Sequence, residues 1–329
     1  WRRLYPDGRR LDDLPRYAWN HERHWVTIDG AGPDVHLQLG IAGRQSVKHP
    51  LLGRRLESAQ PTWRTDVGVE RLRFFQDHRV QDSPLLPAAA FIEMGLAAGH
   101  EALGGPAIVT ALEFRTPLLL STTGETSVDI SVTADAADGA TFRVVSPRET
   151  DAASAGPPWT VHALGQLRRV SESQGQQGAA DPCALAAIRE RCSRSVLVDD
   201  LYRRLASNGL HYGPLFRGIE EIWSGHGEAL ARVSAAPELR ADLQKYHVHP
   251  AVLDSCFQAL AAAIDQSASQ TTDLYLPVGA GLARVRGAIG PHVWCHARIV
   301  RRPDQMPGTI EGDVRLMDEE GRTVVEVSS

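Results

Sequence analysis

The sequence predicts an α+β protein built of two similar units, each an antiparallel sheet wrapped around one buried helix. Three observations carry this. Two Ala-rich, almost uncharged helices each open on a proline, at Pro87 and Pro250. Each is followed by short alternating strands joined by turn signals. The order of strand pieces, helix and strands occurs twice in 329 residues, a weak repeat of domain size rather than solenoid size.

Residues 1–47 hold Arg, aromatic residues and Pro, then Gly and polar residues from about 30, and read as a linker strap. The first unit, 48–168, opens at His49-Pro50-Leu51-Leu52-Gly53 and continues in short strand-like pieces to about residue 77. His78 to Pro87 reads as a loop leading into the helix. Pro87 suits a first helical turn. Up to residue 100 that helix carries a single charge, Glu93. A helix apolar nearly all round is a buried one. Ser127 to Thr133 alternates, Asp138-Gly139 marks a turn, and Thr141 to Val145 returns. Trp159 to Leu164 is another strand.

Residues 169–182 form a polar linker. The second unit, 183–329, holds a helix over Val198–Asn208, a turn at Tyr212-Gly213-Pro214 and a strand over Gly227–Val233. The helix opened by Pro250 extends to Ile264. Val293 to Val300 is a strand. Val314 to Met317, the turn Glu320-Gly321 and Thr323 to Val327 make a closing hairpin.

Composition removes several classes. Lys plus Arg is 35 against 40 Asp plus Glu, a net charge of −5, which is not the basic face of a nucleic-acid binder. No apolar run approaches the ~20 residues of a membrane-spanning helix. The start lacks a signal-peptide core. It also lacks Met, as a piece of a longer chain would. Cys183, Cys192, Cys256 and Cys295 form no CxxC pair and read as free thiols of a reducing, cytoplasmic compartment. His247, His249, Cys295 and His296 match no metal-site spacing, so no metal is expected.

Each unit places one titratable residue at its buried helix. His78 stands on the approach to the first helix, whose N-terminal amides suit an oxygen gaining negative charge. Asp254 lies one turn into the second. Desolvation would make it a proton donor, and Gln258 at i+4 can hydrogen-bond it. A loop His is most often merely solvated, and a first-turn Asp most often complements the helix dipole. On the residues alone, the reading stops at a two-unit α+β protein with a candidate acid–base pair.

Ordered motifs add to this. His78 to Pro87 resembles HxxxGxxxxP, Tyr212-Gly213-Pro214-Leu215-Phe216-Arg217-Gly218 resembles YGPxFQG, and His249 to Gln258 resembles HPAxLDxxxQ. His49 to Gly53 resembles HPLLG, and residues 14–25 resemble a strap following an acyltransferase. On these the chain resembles the dehydratase domain of modular type I polyketide synthases, a double hotdog, over essentially its whole length. Three positions depart: Asp82 replaces the motif Gly, Ala88 stands where Gly is common, and Arg217 replaces Gln. Asp tolerates the left-handed conformation that a Gly there would supply.

The resemblance implies a hydro-lyase that dehydrates a β-hydroxyacyl thioester on an acyl carrier protein to the α,β-unsaturated thioester. It implies that His78 removes the α-proton and Asp254 protonates the leaving hydroxyl, oriented by Gln258. Amides near Pro87 would hold the thioester carbonyl. Tyr212 and Gly213 would help seat the substrate. Asp82 departs from the motif: its carboxylate would either alter substrate fit or the basicity of His78, or merely satisfy the turn, the reading favoured for a loop Asp. No cofactor is implied beyond the carrier's phosphopantetheine arm. Neighbouring synthase domains and a second copy in a homodimer are implied partners, and Arg71, Arg73 and Arg79 form the rim where an acidic carrier would dock. The same residues would serve a double-bond isomerase or an oxygen-heterocycle cyclase. A catalytically silent domain would not need both His78 and Asp254, and the Tyr212-Gly213-Pro214 and His249-Pro250 motifs set the chain apart from a hotdog thioesterase.

Overall fold

The computed structural model describes residues 49–135, 139–148, 158–170, 182–264, 274–300 and 309–329. The strap of residues 1–47 and nearly all of the polar linker lie outside the described residues.

The first half runs β1 Arg54–Arg55, β2 Thr62–Val67, a 3-10 turn Arg73–Asp77, β3 His78–Val80, β4 Ser83–Pro84, α1 Ala88–Leu103, β5 Ala107–Phe114, β6 Thr126–Ala134, β7 Gly139–Pro147 and β8 Trp159–Arg169. The second begins with α2 Pro182–Arg191, β9 Arg194–Val196, α3 Val198–Ser207, β10 Leu210–Tyr212, a 3-10 turn Pro214–Phe216, β11 Ile219–Ser224 and β12 Glu228–Ser234. It ends with a 3-10 stretch Pro237–Lys245, α4 Pro250–Gln258, α5 Leu260–Ala263, β13 Gly279–Val285, β14 His292–Val300, β15 Glu311–Met317 and β16 Thr323–Ser328.

The architecture is the α+β double hotdog, with one difference in detail. The sheets of the two halves run on as one antiparallel sheet of 13 strands, ordered β1-β2-β6-β7-β8-β5-β13-β16-β15-β14-β12-β11-β9. The join is β5 against β13, with Val109 opposite Ala283. Outward from that join, β5-β8-β7-β6-β2 matches β13-β16-β15-β14-β12 strand for strand. The sequence repeat is therefore a repeat of topology, with α1 and α4 in equivalent places.

Alternation explains the strands. Val128, Ile130 and Val132 of β6, and Ala140, Phe142 and Val144 of β7, are buried, with intermediate or exposed residues between. Burial explains α1, whose residues 89–99 are all buried. Its small residues let it lie close to the sheet. A Cβ on Gly95 would come within 2.8 Å of Phe142 Cζ, and one on Gly99 within 2.6 Å of Ala107 Cβ. A Phe142→Ala cavity at this contact would cost roughly 3–5 kcal/mol.

Two local expectations are corrected. The stretch from His78 to Pro87 is not all loop: β3 and β4 form a tight hairpin, and β10 of the second half joins it as a three-stranded sheet, β10-β3-β4. The helix over 250–264 breaks at Ala259 into α4 and α5.

Candidate active site

His78 is fixed from three sides. The 3-10 turn before it is anchored by buried Phe74 and Phe75. Leu85 N–H donates to His78 O at 3.1 Å, and His78 Nδ1 lies 2.8 Å from Leu85 O. A carbonyl can only accept, so Nδ1 carries the hydrogen and Nε2 of the neutral ring keeps its lone pair. Tyr212 of β10 stands opposite His78 in the register, with ring centroids 5.7 Å apart and edge to face. Phe216 packs on the same imidazole at 5.4 Å.

Asp254 is in the second turn of α4, 5% exposed, and His78 is 7% exposed. Asp254 Oδ1 is 3.7 Å from His78 Nε2. Its other oxygen, Oδ2, accepts from Gln258 Nε2 at 3.0 Å, and the same amide donates to Phe216 O at 3.0 Å. Burial pushes the Asp254 carboxyl above its ordinary value, against the opposing pull of His78 and the Gln258 hydrogen bond. Burial also raises the Tyr212 phenol well above its usual value, so it remains a hydroxyl.

Gly213 has a steric reason. Its N–H donates to Asp77 O at 2.8 Å, and a Cβ there would lie 2.3 Å from Asp77 Cγ. Asp77 Oδ2 in turn accepts Leu215 N–H at 2.8 Å. Asp77, adjacent to His78, thus ties the first half to the Tyr212–Phe216 turn of the second. The sequence reading passed over it. The available signal was a carboxylate next to a candidate base, facing a turn with unpaired amides.

The structure brings His78, Asp254, Gln258, Tyr212 and Gly213 together. Pro87 is the N-cap of α1, with φ −69° and ψ 153°, so the helix begins one residue later, at Ala88. Leu85, which bonds His78, is two residues before it. Asp82 lies elsewhere, exposed in the turn between β3 and β4 with φ +60°. Its carbonyl accepts from Arg79 Nη1 at 3.2 Å. Arg217 is exposed, its guanidinium carbon 4.6 Å from the Tyr202 ring centroid.

A carboxyl raised by burial faces an imidazole nitrogen with a free lone pair in a double hotdog, the arrangement of a candidate acid–base site. Comparison with known proteins then gives the family. The family model described as "Polyketide synthase dehydratase domain" matches residues 49–147, and the one described as "Polyketide synthase dehydratase N-terminal domain" matches 180–329. Mycoketide-CoA synthase of Mycobacterium tuberculosis is 34% identical over 87% of this chain and 7% of its own length. The dehydratase domain from the CurF module of curacin polyketide synthase superposes with a TM-score of 0.75 at 27% identity, covering 85% of this chain and 96% of that one. The CurK dehydratase matches at 25% identity, TM-score 0.73 and coverage of 85% and 95%, and its solved forms include two inactive mutants, one His to Phe and one Asp to Asn. This chain belongs to the polyketide synthase dehydratase domains. It spans between 3% and 17% of the length of the curated relatives it matches.

Proposed function

We propose that this domain dehydrates a β-hydroxyacyl chain carried as a thioester on the phosphopantetheine arm of an acyl carrier protein. The observation that carries the reading is the approach of His78 Nε2 to Asp254 Oδ1, at 3.7 Å, from opposite halves of the fold.

His78 Nε2 takes the proton from the carbon next to the thioester carbonyl. The hydrogen bond from Nδ1–H to Leu85 O orients the ring and fixes the tautomer that leaves Nε2 free to accept. The first-turn amides of α1, at Ala88 and Ala89, have no intrahelical acceptor and suit the carbonyl oxygen as charge develops. Gln258 donates to Asp254 Oδ2, so the acid's proton belongs on Oδ1, the oxygen facing His78. Asp254 delivers that proton to the β-hydroxyl, the C–O bond breaks, water leaves and the C=C bond forms. The proton then on His78 returns across the short gap to Asp254, restoring both groups. The Tyr212 hydroxyl is a further donor for the substrate. The inactive His-to-Phe and Asp-to-Asn forms of the CurK dehydratase support the need for a His and an Asp together. The multidomain synthases among the relatives support neighbouring synthase domains as partners.

The test is a panel of β-hydroxyacyl thioesters loaded on a carrier protein. Intact mass should fall by one water, and the product should be the conjugated, open-chain alkene. A ring or a shifted double bond would point to the cyclase or isomerase chemistry available to the same two residues. Retention of the hydroxyl across the whole panel would reject dehydration.

A further inference from the structure

Glu93 is the one charge within the buried part of α1, and it is 0% exposed. An unpartnered carboxylate there would be untenable. Oε1 accepts the backbone N–H of His247 at 2.7 Å, and Oε2 accepts that of Val248 at 2.9 Å. His49 Nε2 lies 2.8 Å and His247 Nδ1 3.2 Å from Oε1. Burial alone would raise this carboxyl, but the hydrogen bonds from His247 and His49 outweigh it and hold Glu93 below its ordinary value.

Two histidines and a carboxylate with ligand atoms within 4.8 Å of one another resemble a metal site in outline. Their hydrogen bonds argue otherwise. Leu51 N–H donates to His49 Nδ1 at 3.2 Å, so His49 Nε2 carries a hydrogen and offers no lone pair. Both Glu93 oxygens already hold backbone amides. The cluster is a fastening.

What it fastens is the start of α4. Val248 is followed by His249, the N-cap, whose Nδ1 accepts Ala251 N–H at 3.2 Å. Burial pushes His249 down to about 4, so the ring is neutral and able to accept. His249 O accepts from Val252 at 3.0 Å and from Leu253 at 3.1 Å. Asp254 is the next residue. His78 and Glu93 both belong to the first half, and Asp254 belongs to the second. A carboxylate from the first half therefore grips the backbone of the second, six residues before the acid that must meet the first half's base.

We propose that Glu93 is a positioning residue: by anchoring Val248 and the α4 N-terminus it sets the distance between Asp254 and His78. This rests on the dehydratase reading above. A general acid must lie within hydrogen-bond reach of its target, and displacement by about 1 Å can cost on the order of 10²-fold in rate. Glu93→Gln keeps the shape but turns one acceptor into a donor facing a backbone N–H.

The experiment compares wild type, Glu93→Gln and His247→Ala in turnover of a carrier-borne β-hydroxyacyl thioester and in hydrogen exchange followed by mass spectrometry. In Glu93→Gln, kcat should fall by about 10–100-fold with KM within about twofold. The amides of residues 248–253 should exchange at least about tenfold faster, with those of 95–103 unchanged. The alkaline limb of the kcat profile should move up, because Asp254 loses the nearby His78 that lowers it. His247→Ala removes one side-chain donor and keeps both backbone bonds, so its kcat should fall less, and it decides the matter if Glu93→Gln does not fold. Faster exchange at 248–253 with kcat and its pH profile unmoved would overturn the proposal. So would a kcat loss matching only the loss of folded protein. If wild type releases no water from any substrate, the dehydratase reading fails, while the exchange data still report whether Glu93 holds α4.

Discussion

His78 Nε2 and Asp254 Oδ1 stand 3.7 Å apart, and they reach that separation from strand β3 in the first half of the chain and helix α4 in the second. Neither half holds both residues. The pairing of β10 with β3 sets Tyr212 opposite His78, and the Asp77 bond to Leu215 closes the same seam. The fusion of two hotdog units thus creates the site as well as the core.

His78→Ala and Asp254→Asn should each lower turnover by about 10²–10⁴-fold, the range for loss of a general acid or base. Because the groups act on one event, the double variant should be little slower than the slower single variant. Carrier-bound substrate followed by intact mass, with circular dichroism as a check on folding, measures both. More than a tenth of the wild-type rate in either single variant would remove that residue from the role.

Asp254 also carries a stability cost. Its folded-state value is raised by burial, so the folded chain holds that proton more tightly than the unfolded one. The favourable contribution is full below the unfolded carboxyl value of about 3.9 and is lost as pH rises through the folded value. Asp254→Asn does not titrate and escapes this loss. It should melt higher than wild type at pH 7, with the gap closing as pH falls below about 4. A melting difference independent of pH would show that the carboxyl is not held in its neutral form by burial.

Much of the fold was legible, and what was not has physical causes. The central helices announced themselves because a charge-poor, proline-led helix has nowhere to go but inside. β6, β7 and the β15–β16 hairpin followed from alternation. The three-residue strands β3 and β10 are too short to show a period, and their pairing joins residues far apart in the chain. The β5–β13 join is an edge-to-edge contact that leaves no mark on either strand's pattern. At the site, residue chemistry singled out His78, Asp254 and Gln258 as a candidate acid–base pair with its partner, and the ordered motifs gave that pair a reaction. Glu93 was visible as the lone charge before residue 100 on an apolar helix, and a buried charge must have partners. Its backbone partners, the amides of His247 and Val248, have no sequence signature.

Arg71, just ahead of the turn that delivers His78, and Arg73, its first residue, are exposed. Arg79 is less available, since its guanidinium donates to Gln76 O at 3.0 Å and Asp82 O at 3.2 Å. An acidic carrier protein steered by this rim should dock more weakly when both exposed charges are reversed. Arg71→Glu with Arg73→Glu should raise KM for carrier-borne substrate about tenfold or more at low ionic strength, with the difference shrinking in salt. The same substrate on free pantetheine should be processed at an unchanged rate. Equal effects on both substrates would mean that the arginines act on the site rather than on the carrier.

Asp82 is the departure from the family motif that lies nearest His78 in the chain, and its geometry assigns it to the backbone. Its φ is +60° and that of Gln81 is +47°, so the β3–β4 turn places two consecutive non-glycine residues in the left-handed region. Asp is among the few residues that enter that region readily, and this side chain is exposed rather than aimed inward. Asp82→Gly should therefore change stability by less than about 1 kcal/mol. Turnover should be unaltered, and the acid limb of the pH–rate profile should stay in place. Asp82→Val, with a branched Cβ at the same φ, should cost about 1–2 kcal/mol. Thermal melts of the two variants read the backbone effect, and pH–rate profiles read any electrostatic one. An anion acting on the catalytic base would reveal itself on removal as a displaced acid limb, and a displacement of about half a pH unit or more in Asp82→Gly would return Asp82 to the active site.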